Sequence, residues 1–214
     1  MNAPLDPLVA AAIHDAKNAL MALDTQLAEM QRRPASADFQ STRGTITRIA
    51  SHLTQLLTLY RAQGDQLRLA IDDHDLSDFI DDLVTELGPL PDGLTLTVDR
   101  AAISKMGAWA FDAFLVKLAL LDALRNALRH ARASVTISLS TQTQGGIFFS
   151  VSDDGPGYPE LVLIGAITSS GGEGTGLGLT FARLIAARHA TPAGHHGHVE
   201  LTNTPGATLR LYLP

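Results

Sequence analysis

The sequence predicts an α+β protein in two parts, a helical hairpin followed by an α/β layer domain. Up to Gly64, apolar residues recur at helical spacing. Beyond Gly64, short alternating runs are separated by helical ones, which is typical of a mixed α/β layer domain. The 214 residues, 45% of them apolar, suffice for one large domain or two small ones with a real core. We place the domains at residues 1–65 and 66–214.

The hairpin is predicted to consist of two amphipathic helices. The first runs from about Pro7 to Arg33 and ends at Pro34, because proline disfavours helix in the residue before it. The second ends near Gly64. Their apolar positions are Leu8, Ile13, Leu20, Leu23, Leu27 and Met30, then Phe39, Ile46, Ile49, Leu53, Leu56, Leu57 and Tyr60. This stripe is too broad for one partner helix, so we expect dimerisation into a four-helix bundle; the alternative is an intramolecular helical subdomain.

The second domain alternates strand and helix patterns. Strands are predicted at Leu67–Leu69, Leu94–Val98, Ser134–Leu139, Ile147–Ser152, His198–Leu201 and Ala207–Tyr212. Helices are predicted at Leu76–Leu87, Leu115–Arg132 and Leu177–His189. Gly145-Gly146 indicates a hairpin between two of the strands, and Asn203–Gly206 indicates a turn between the last two.

Composition excludes several classes of function. The net charge of −6 leaves no basic stripe for a nucleic-acid backbone or an anionic membrane. The absence of cysteine excludes disulfides, cysteine-ligated zinc and thiol catalysis. The residues from Met1 to Asp6 do not read as a signal peptide, and no window is long and apolar enough to span a bilayer. We therefore expect a soluble, cytoplasmic protein that binds neither nucleic acid nor membrane.

Three motifs occur in order in the second half of the chain. They are Asn126 within a helical run, Asp153–Gly157 after a strand, and Gly174–Leu179 before a helix. An amide on a helix can hold Mg²⁺, a carboxylate can accept from the adenine amino group, and glycines let the backbone close around phosphates. A glycine run alone is a weak signal and is usually a flexible turn, whereas this order of motifs indicates a nucleotide pocket.

The carboxylate of Asp153 predicts a preference for ATP over GTP, because guanine carries a carbonyl where adenine carries its amine. Gly155 and Gly157 allow the chain to turn sharply and approach the base. Gly174, Gly176 and Gly178 lead into the helix that starts near Leu177, so phosphates would meet free backbone amides and the positive end of a helix dipole.

The helix that carries Asn126 holds further candidates. One amide oxygen is a sufficient protein contribution to Mg²⁺, which takes its other ligands from phosphate and water. Asp122, one turn earlier, could orient a metal-bound water. Arg129 and His130 could reach phosphates, or could equally be solvated helix residues.

In the first helix, His14 is a candidate nucleophile. A neutral imidazole on the outside of a helix can attack phosphorus, and the adjacent Asp15 can orient it and take its proton. Asn18 lies four residues on, hence on the same face, where it could position a water against a phosphorylated histidine. The alternative is that His14 is a solvated surface histidine.

These motifs together resemble the catalytic core of the two-component sensor histidine kinases over nearly the whole chain. His14–Asn18 resembles the phosphoacceptor box, and Asp122–His130 resembles the Asn box. Asp153–Gly157 and Gly174–Leu179 resemble the two glycine boxes. Gly206–Pro214 is similar to the last strand of the family, and Asp112 occupies the position of an aspartate that commonly precedes the Asn box. The resemblance implies an α/β sandwich of the GHKL (Bergerat) type, with Thr175, Leu177 and Thr208 also at the nucleotide.

The resemblance implies an ATP- and Mg²⁺-dependent protein histidine kinase. It would autophosphorylate His14 and pass the phosphoryl group to an aspartate of a response-regulator receiver domain, and Asn18 would support dephosphorylation of that regulator. The expected assembly is a homodimer. No sensor domain is visible in the sequence, so we expect input from a separate protein or domain, unless the chain is a fragment or a stand-alone core.

Two features depart from the family pattern. The segment from Tyr158 to Glu173 is short and has aliphatic residues where such kinases carry phenylalanines that dock a mobile lid. This keeps open a dimeric histidine phosphotransfer adaptor with a degenerate, non-catalytic ATP-binding fold; a serine kinase of the anti-sigma type shares the fold but lacks the histidine hairpin. Four histidines also cluster near the C-terminus, with spacing that fits zinc poorly: His189, His195, His196 and His198.

Overall fold

The computed structural model describes residues 20, 21, 23, 25, 27, 39–63, 66–142, 145–165, 176–204 and 206–214. The chain divides into two compact units. One comprises Met1–Leu67 with Gly171–Leu177, and the other comprises Arg68–Ser170 with Gly178–Pro214. We call them the helical unit and the sheet unit.

In the helical unit, α1 spans Phe39–Gln63, close to the bounds predicted for the second helix. The five described residues of the predicted first helix are also helical. One side of α1 is buried and includes Ile49 and Leu59. Large apolar side chains on both helices are nevertheless exposed: Leu20, Met21, Leu27, Ile46, Leu53, Leu57 and Tyr60. In the described part of this unit, an apolar stripe along α1 is therefore half exposed or more.

The sheet unit contains seven strands and five helices within the described residues. The strands are β1 (Asp72–Asp75), β2 (Thr95–Val98), β3 (Ala108–Phe111), β4 (Ser134–Thr141), β5 (Ile147–Asp153), β6 (His198–Thr202) and β7 (Thr208–Leu213). The helices are α2 (Leu76–Leu87), α3 (Arg100–Ile103), α4 (Ala113–His130), α5 (Glu160–Leu163) and α6 (Leu177–Arg188). The first residue of α6, Leu177, is assigned to the helical unit.

Five strands form the main sheet in the order β2-β4-β5-β7-β6, and β1 pairs with β3 in a second, two-stranded sheet. In the main sheet only β2 and β4 are parallel. The helix α4 contacts β4, β5 and α2, which covers one face of the sheet. This arrangement confirms the predicted α+β class, and the sheet with helices on one face positions the ends of α4 and β5 side by side.

The core between sheet and helices is built on three phenylalanines. The ring centroids of Phe79 and Phe111 lie 4.9 Å apart, and those of Phe111 and Phe149 lie 5.5 Å apart, both edge to face. Such pairs stabilise by about 0.5–1.5 kcal/mol beyond their area burial. Because these rings come from α2, β3 and β5, they connect the two sheets through one core.

Asp75 and Asp112 begin the two long helices of the unit. The Asp75 carboxylate accepts from the backbone N–H groups of Ser77 and Asp78, and α2 ends at Gly88 with φ 81°. The Asp112 carboxylate accepts from the N–H of Leu115 at the start of α4. Each cap satisfies N–H groups that have no partner inside the helix, and this fixes where the helix begins.

The strand predicted at Leu67–Leu69 is wrong. Residues 66–71 carry no regular structure, and the strand lies at Asp72–Asp75 instead. An apolar alternation is not sufficient for a strand, because a strand also needs a partner for its backbone. That partner is β3, which pairs antiparallel with Asp72–Asp75 and which the sequence patterns did not indicate.

None of the described helices is both long enough and apolar enough to cross a lipid bilayer.

Candidate functional site

The carboxylate of Asp153 is buried at the end of β5. The residue is 5% exposed, and its Oδ1 accepts from the N–H of Gly155 at 2.8 Å and from the N–H of Ala207 at 3.3 Å. In the described part of the chain, no hydrogen bond is made by Oδ2. A buried carboxylate is costly unless it is hydrogen-bonded, so one oxygen is satisfied by the fold and the other remains available to a donor.

Glycines surround Asp153 because three backbone segments meet there. A Cβ at Gly155 would collide with the carbonyl oxygen of His130 and lie 2.8 Å from Asp153 Oδ1. A Cβ at Gly206 would collide with the carbonyl oxygen of Asp153 itself. These two glycines are therefore required by close backbone approach.

The end of α4 beside this carboxylate carries the other predicted ligands. Asp122 and Asn126 lie one turn apart and are half-buried, whereas Arg129 and His130 are exposed. The Asn126 amide forms no hydrogen bond within the described residues, so its oxygen is available as a ligand. The described residues include no cluster of three or more histidine, aspartate or glutamate side chains that could hold a metal ion by itself.

The second glycine motif is described only from Gly176 onward. Gly174 and Thr175 lie outside the described residues. Gly176, with φ 68°, and Leu177 are grouped with the helical unit, whereas Gly178 belongs to the sheet unit. A Cβ at Gly178 would collide with Oδ2 of Asp122, so the Asp122 carboxylate lies against the first turn of α6.

Asp154 joins the end of β5 to the turn between α4 and β4. Its carboxylate accepts from the N–H groups of Arg132 at 2.8 Å, Ala133 at 3.1 Å and Ser134 at 3.2 Å. The hydrogen bond from Ala133 is the largest cause that lowers the pKa of Asp154 to about 2, with smaller contributions from Ser134 and Arg132. The ionised side chain thus holds the helix bearing Asn126 beside Asp153.

Tyr158 and Asn203 are site residues that the sequence patterns missed. The Tyr158 N–H donates to Asn203 Oδ1 at 2.7 Å, and Asn203 Nδ2 donates to the Tyr158 carbonyl at 2.8 Å. Burial and the charge of Asp153 raise the pKa of Tyr158 to about 12. The position of Asn203 in a predicted turn after a strand was visible in the sequence, but its contact with the Asp153–Gly157 loop was not.

Thr208 lies on the other face of the sheet from the Asp153 side chain. Thr208 pairs with Ser152 across β5 and β7, and the Thr208 Oγ1 hydroxyl donates to Ser152 Oγ at 3.0 Å. Since side chains alternate along a strand, Ser152 and the next residue, Asp153, point to opposite faces. The structure therefore does not bring the Thr208 side chain to Asp153; the neighbouring Ala207 contributes through its backbone N–H instead.

Both ring nitrogens of His189 contact backbone groups of the sheet unit. His189 is 4% exposed, its Nε2 accepts from the N–H of Asp112 at 3.0 Å, and its Nδ1 lies 2.7 Å from the carbonyl oxygen of Ile185. Burial lowers the pKa of His189 below 6.5, against the opposing effects of Ile185 and Asp112. The Asp112 carboxylate also accepts from the N–H of Ala70 at 2.9 Å.

The other clustered histidines have separate contacts. His196 Nδ1 lies 2.8 Å from the Ala187 carbonyl oxygen, and His198 Nε2 lies 3.2 Å from Glu200 Oε1. His195 is exposed.

Two groups of predicted residues lie beyond what the structure describes. His14, Asp15 and Asn18 are outside the described residues. Of the segment from Tyr158 to Glu173, the structure describes residues 158–165, which include α5.

Comparison with known proteins identifies the domain. Residues 111–214 match the family model "Histidine kinase-, DNA gyrase B-, and HSP90-like ATPase". The chain is 27% identical to the "Probable sensor histidine kinase HK" of Mycobacterium tuberculosis over 202 residues, covering 89% of this chain and 50% of that protein. It is 25% identical to the "Adaptive-response sensory kinase SasA" of Synechococcus sp. over 201 residues, covering 86% of this chain and 53% of that protein. Residues 111–214 thus form a domain of this ATPase family, and over most of its length the chain is similar to sensor histidine kinases.

Solved histidine kinase structures share the fold. The histidine kinase AdeS of Acinetobacter baumannii superposes with a TM-score of 0.57 at 18% identity, covering 94% of this chain and 96% of that one. The ATP-binding domain of PrrB from Mycobacterium tuberculosis superposes with a TM-score of 0.52 at 22% identity, covering 67% of this chain and 96% of that one. The chain spans about half the length of the curated relatives it matches. Asp153, Asn126 and Gly178 all lie within the segment that matches the ATPase family.

Proposed function

We propose that this chain is an ATP-dependent protein histidine kinase that phosphorylates His14 and then passes the phosphoryl group to an aspartate of a response-regulator receiver domain. The observation that carries the proposal is the buried Asp153 carboxylate, whose Oδ2 is left for a donor while Oδ1 is held by backbone amides. The exocyclic amine of adenine is a donor of the required kind, and guanine presents an acceptor at that edge.

The phosphates would lie toward the motif that leads into α6. The positive end of this 12-residue helix, which the glycine motif precedes in the sequence, suits an anion. The amide oxygen of Asn126 fits a single protein ligand to Mg²⁺, and Asp122 fits a group that holds a water of that ion. Mg²⁺ would supply neutralisation of the phosphate charge.

In the transfer, a ring nitrogen of His14 bonds to the γ-phosphorus while the bond from phosphorus to the bridging oxygen breaks. ADP leaves with that electron pair, and Asp15 accepts the ring proton of His14. The phosphoryl group then moves from the imidazole to the carboxylate of the receiver domain. Asn18, on the same helical face as His14, would position a water that attacks the phosphorus of the phosphorylated receiver aspartate, releasing inorganic phosphate and the free carboxylate.

The test is incubation of the full chain with γ-labelled ATP and Mg²⁺. We expect an acid-labile label that is absent from His14→Gln and retained by His195→Gln, a matched change of an exposed histidine. Asp153→Asn keeps an acceptor for Gly155 and Ala207 but places an NH₂ group where Oδ2 stands, so ATP affinity should fall about 10- to 100-fold.

Two results would contradict this proposal. Label that survives acid, or that persists in His14→Gln, would place the phosphoryl group on another residue. Folded protein that incorporates no label would instead favour the phosphotransfer adaptor, whereas tight ATP binding would weaken that alternative.

The helical unit is proposed to form the homodimer through its exposed stripe. Ile46, Leu53, Leu57 and Tyr60 lie along one side of α1 and are at least half exposed. A charge at the centre of a bundle core is strongly unfavourable, so Leu53→Glu should yield monomers in analytical ultracentrifugation. Gln63→Glu, at an exposed polar position near the end of the same helix, serves as the control and should remain dimeric. A dimeric Leu53→Glu protein would place the interface elsewhere.

A further inference from the structure

Tyr158 has its backbone held on both sides. It directly follows Gly157, which has φ 87° and lies so close to Asn203 that a Cβ would be 2.6 Å from Asn203 Cγ. Asn203 then exchanges two hydrogen bonds with the Tyr158 backbone, of 2.7 Å and 2.8 Å. The loop after Asp153 is thus tied to the turn after β6, which fixes the backbone of Tyr158.

The hydroxyl of Tyr158 is a donor from which no described residue accepts. The side chain is half-buried, and within the described residues its hydroxyl forms no hydrogen bond. Tyr212 differs, because its hydroxyl donates to the Gly145 carbonyl at 3.1 Å. Burial and the Asp153 charge raise the pKa of Tyr158 to about 12, so the phenol stays protonated at neutral pH. The loop after β5 therefore carries, five residues apart, a protonated phenol and a carboxylate with one oxygen that accepts from no described residue.

We infer that Tyr158 is a specificity-determining residue of the nucleotide pocket, with its hydroxyl donating to N1 of adenine while Asp153 accepts from the adjacent exocyclic amine. This inference rests on the proposed function, in which ATP binds at Asp153. Adenine presents an acceptor and a donor side by side on this edge, whereas guanine presents an N–H at N1 and a carbonyl oxygen next to it. A site built from one donor and one acceptor rejects the base with the reversed pattern, because its own polar groups are left unpaired.

The experiment combines a change in the protein with a change in the ligand. The full chain and the variants Tyr158→Phe and Tyr212→Phe are titrated calorimetrically, in Mg²⁺, with ATP and with 1-deaza-ATP, in which a C–H replaces N1. One neutral hydrogen bond corresponds to about a 5-fold difference in affinity. We expect the unaltered chain to prefer ATP by about that factor and Tyr158→Phe to bind both ligands equally. Tyr212→Phe should keep the original preference.

Each other outcome decides against the inference. If Tyr158→Phe still prefers ATP over 1-deaza-ATP, another group donates a hydrogen bond to N1. If the unaltered chain shows no preference, no group of the protein does. In both cases the proposed function stands as long as ATP binds and Asp153→Asn weakens it. Failure of the unaltered chain to bind ATP overturns both. Tyr158→Leu is a second variant without the hydroxyl, and its affinity ratio must agree with that of Tyr158→Phe.

Discussion

Protonation of His189 should destabilise the sheet unit, because an imidazolium cannot accept the hydrogen bond that Asp112 donates to Nε2. Burial lowers the pKa of His189 below 6.5, so between pH 6.5 and that lowered value the unfolded chain binds more protons than the folded one. Stability therefore falls as the pH drops through this window, and the slope from one proton cannot exceed about 1.4 kcal/mol per pH unit.

The size of the effect at neutral pH follows from the same contact. Leaving the buried Asp112 N–H unpaired costs about 1–3 kcal/mol. We therefore expect the free energy of unfolding of His189→Gln at pH 7.5 to be lower than that of the unaltered protein by up to this amount. The variant should also lose less stability on acidification, because it lacks the titrating imidazole. The charge of Asp112 opposes the lowering of the His189 pKa. The pH window is therefore narrower, but stability still falls as the pH drops through it.

The assay is urea unfolding between pH 7.5 and 5.5, followed by the fluorescence of Trp109. This is the single tryptophan of the chain, and it lies in β3, next to Asp112 in the same unit. His195→Gln, an exposed histidine in the loop after α6, should behave as the unaltered protein does. The reasoning is refuted if His189→Gln retains the full pH dependence of the unaltered protein.

Four further variants test the packing of the sheet unit. Asp154→Asn should lower the urea midpoint of unfolding. The difference from the unaltered protein should be equal at pH 7 and pH 5, because a carboxyl with a pKa of about 2 stays ionised at both. A difference that shrinks at pH 5 would contradict this. Gly146→Ala adds a collision with Tyr212 to the strain of φ 93°, whereas Gly145→Ala, at φ 91°, meets no atom within 4 Å. Gly145→Ala should therefore cost about 1–2 kcal/mol in chemical unfolding and Gly146→Ala more, and equal costs would exclude the collision. Phe149→Ala removes a ring from the aromatic core and should lower the free energy of unfolding by about 3–5 kcal/mol. A loss below 1 kcal/mol would mean that the core collapses to fill the cavity.

Local rules were enough for α2 and the hairpin of β4 and β5. The helix begins and ends where the sequence predicted because Asp75 caps it and Gly88 ends it, and both effects act within a few residues. The hairpin forms around the two glycines that indicated it. The strand at Asp72–Asp75 was missed because its partner, β3, is distant in sequence.

The order of Asn126, Asp153–Gly157 and Gly174–Leu179 was by itself sufficient to indicate an ATP-binding domain, because each motif needs particular residue types at short spacing. Only the tertiary structure decided which faces meet. Strand alternation and register place the Thr208 side chain away from Asp153, and Asn203 ties the loop that carries Tyr158 to the turn after β6. The physical reason is that residue type and spacing act locally, whereas the residues around a pocket are brought together by tertiary contacts across 45 or more residues of chain.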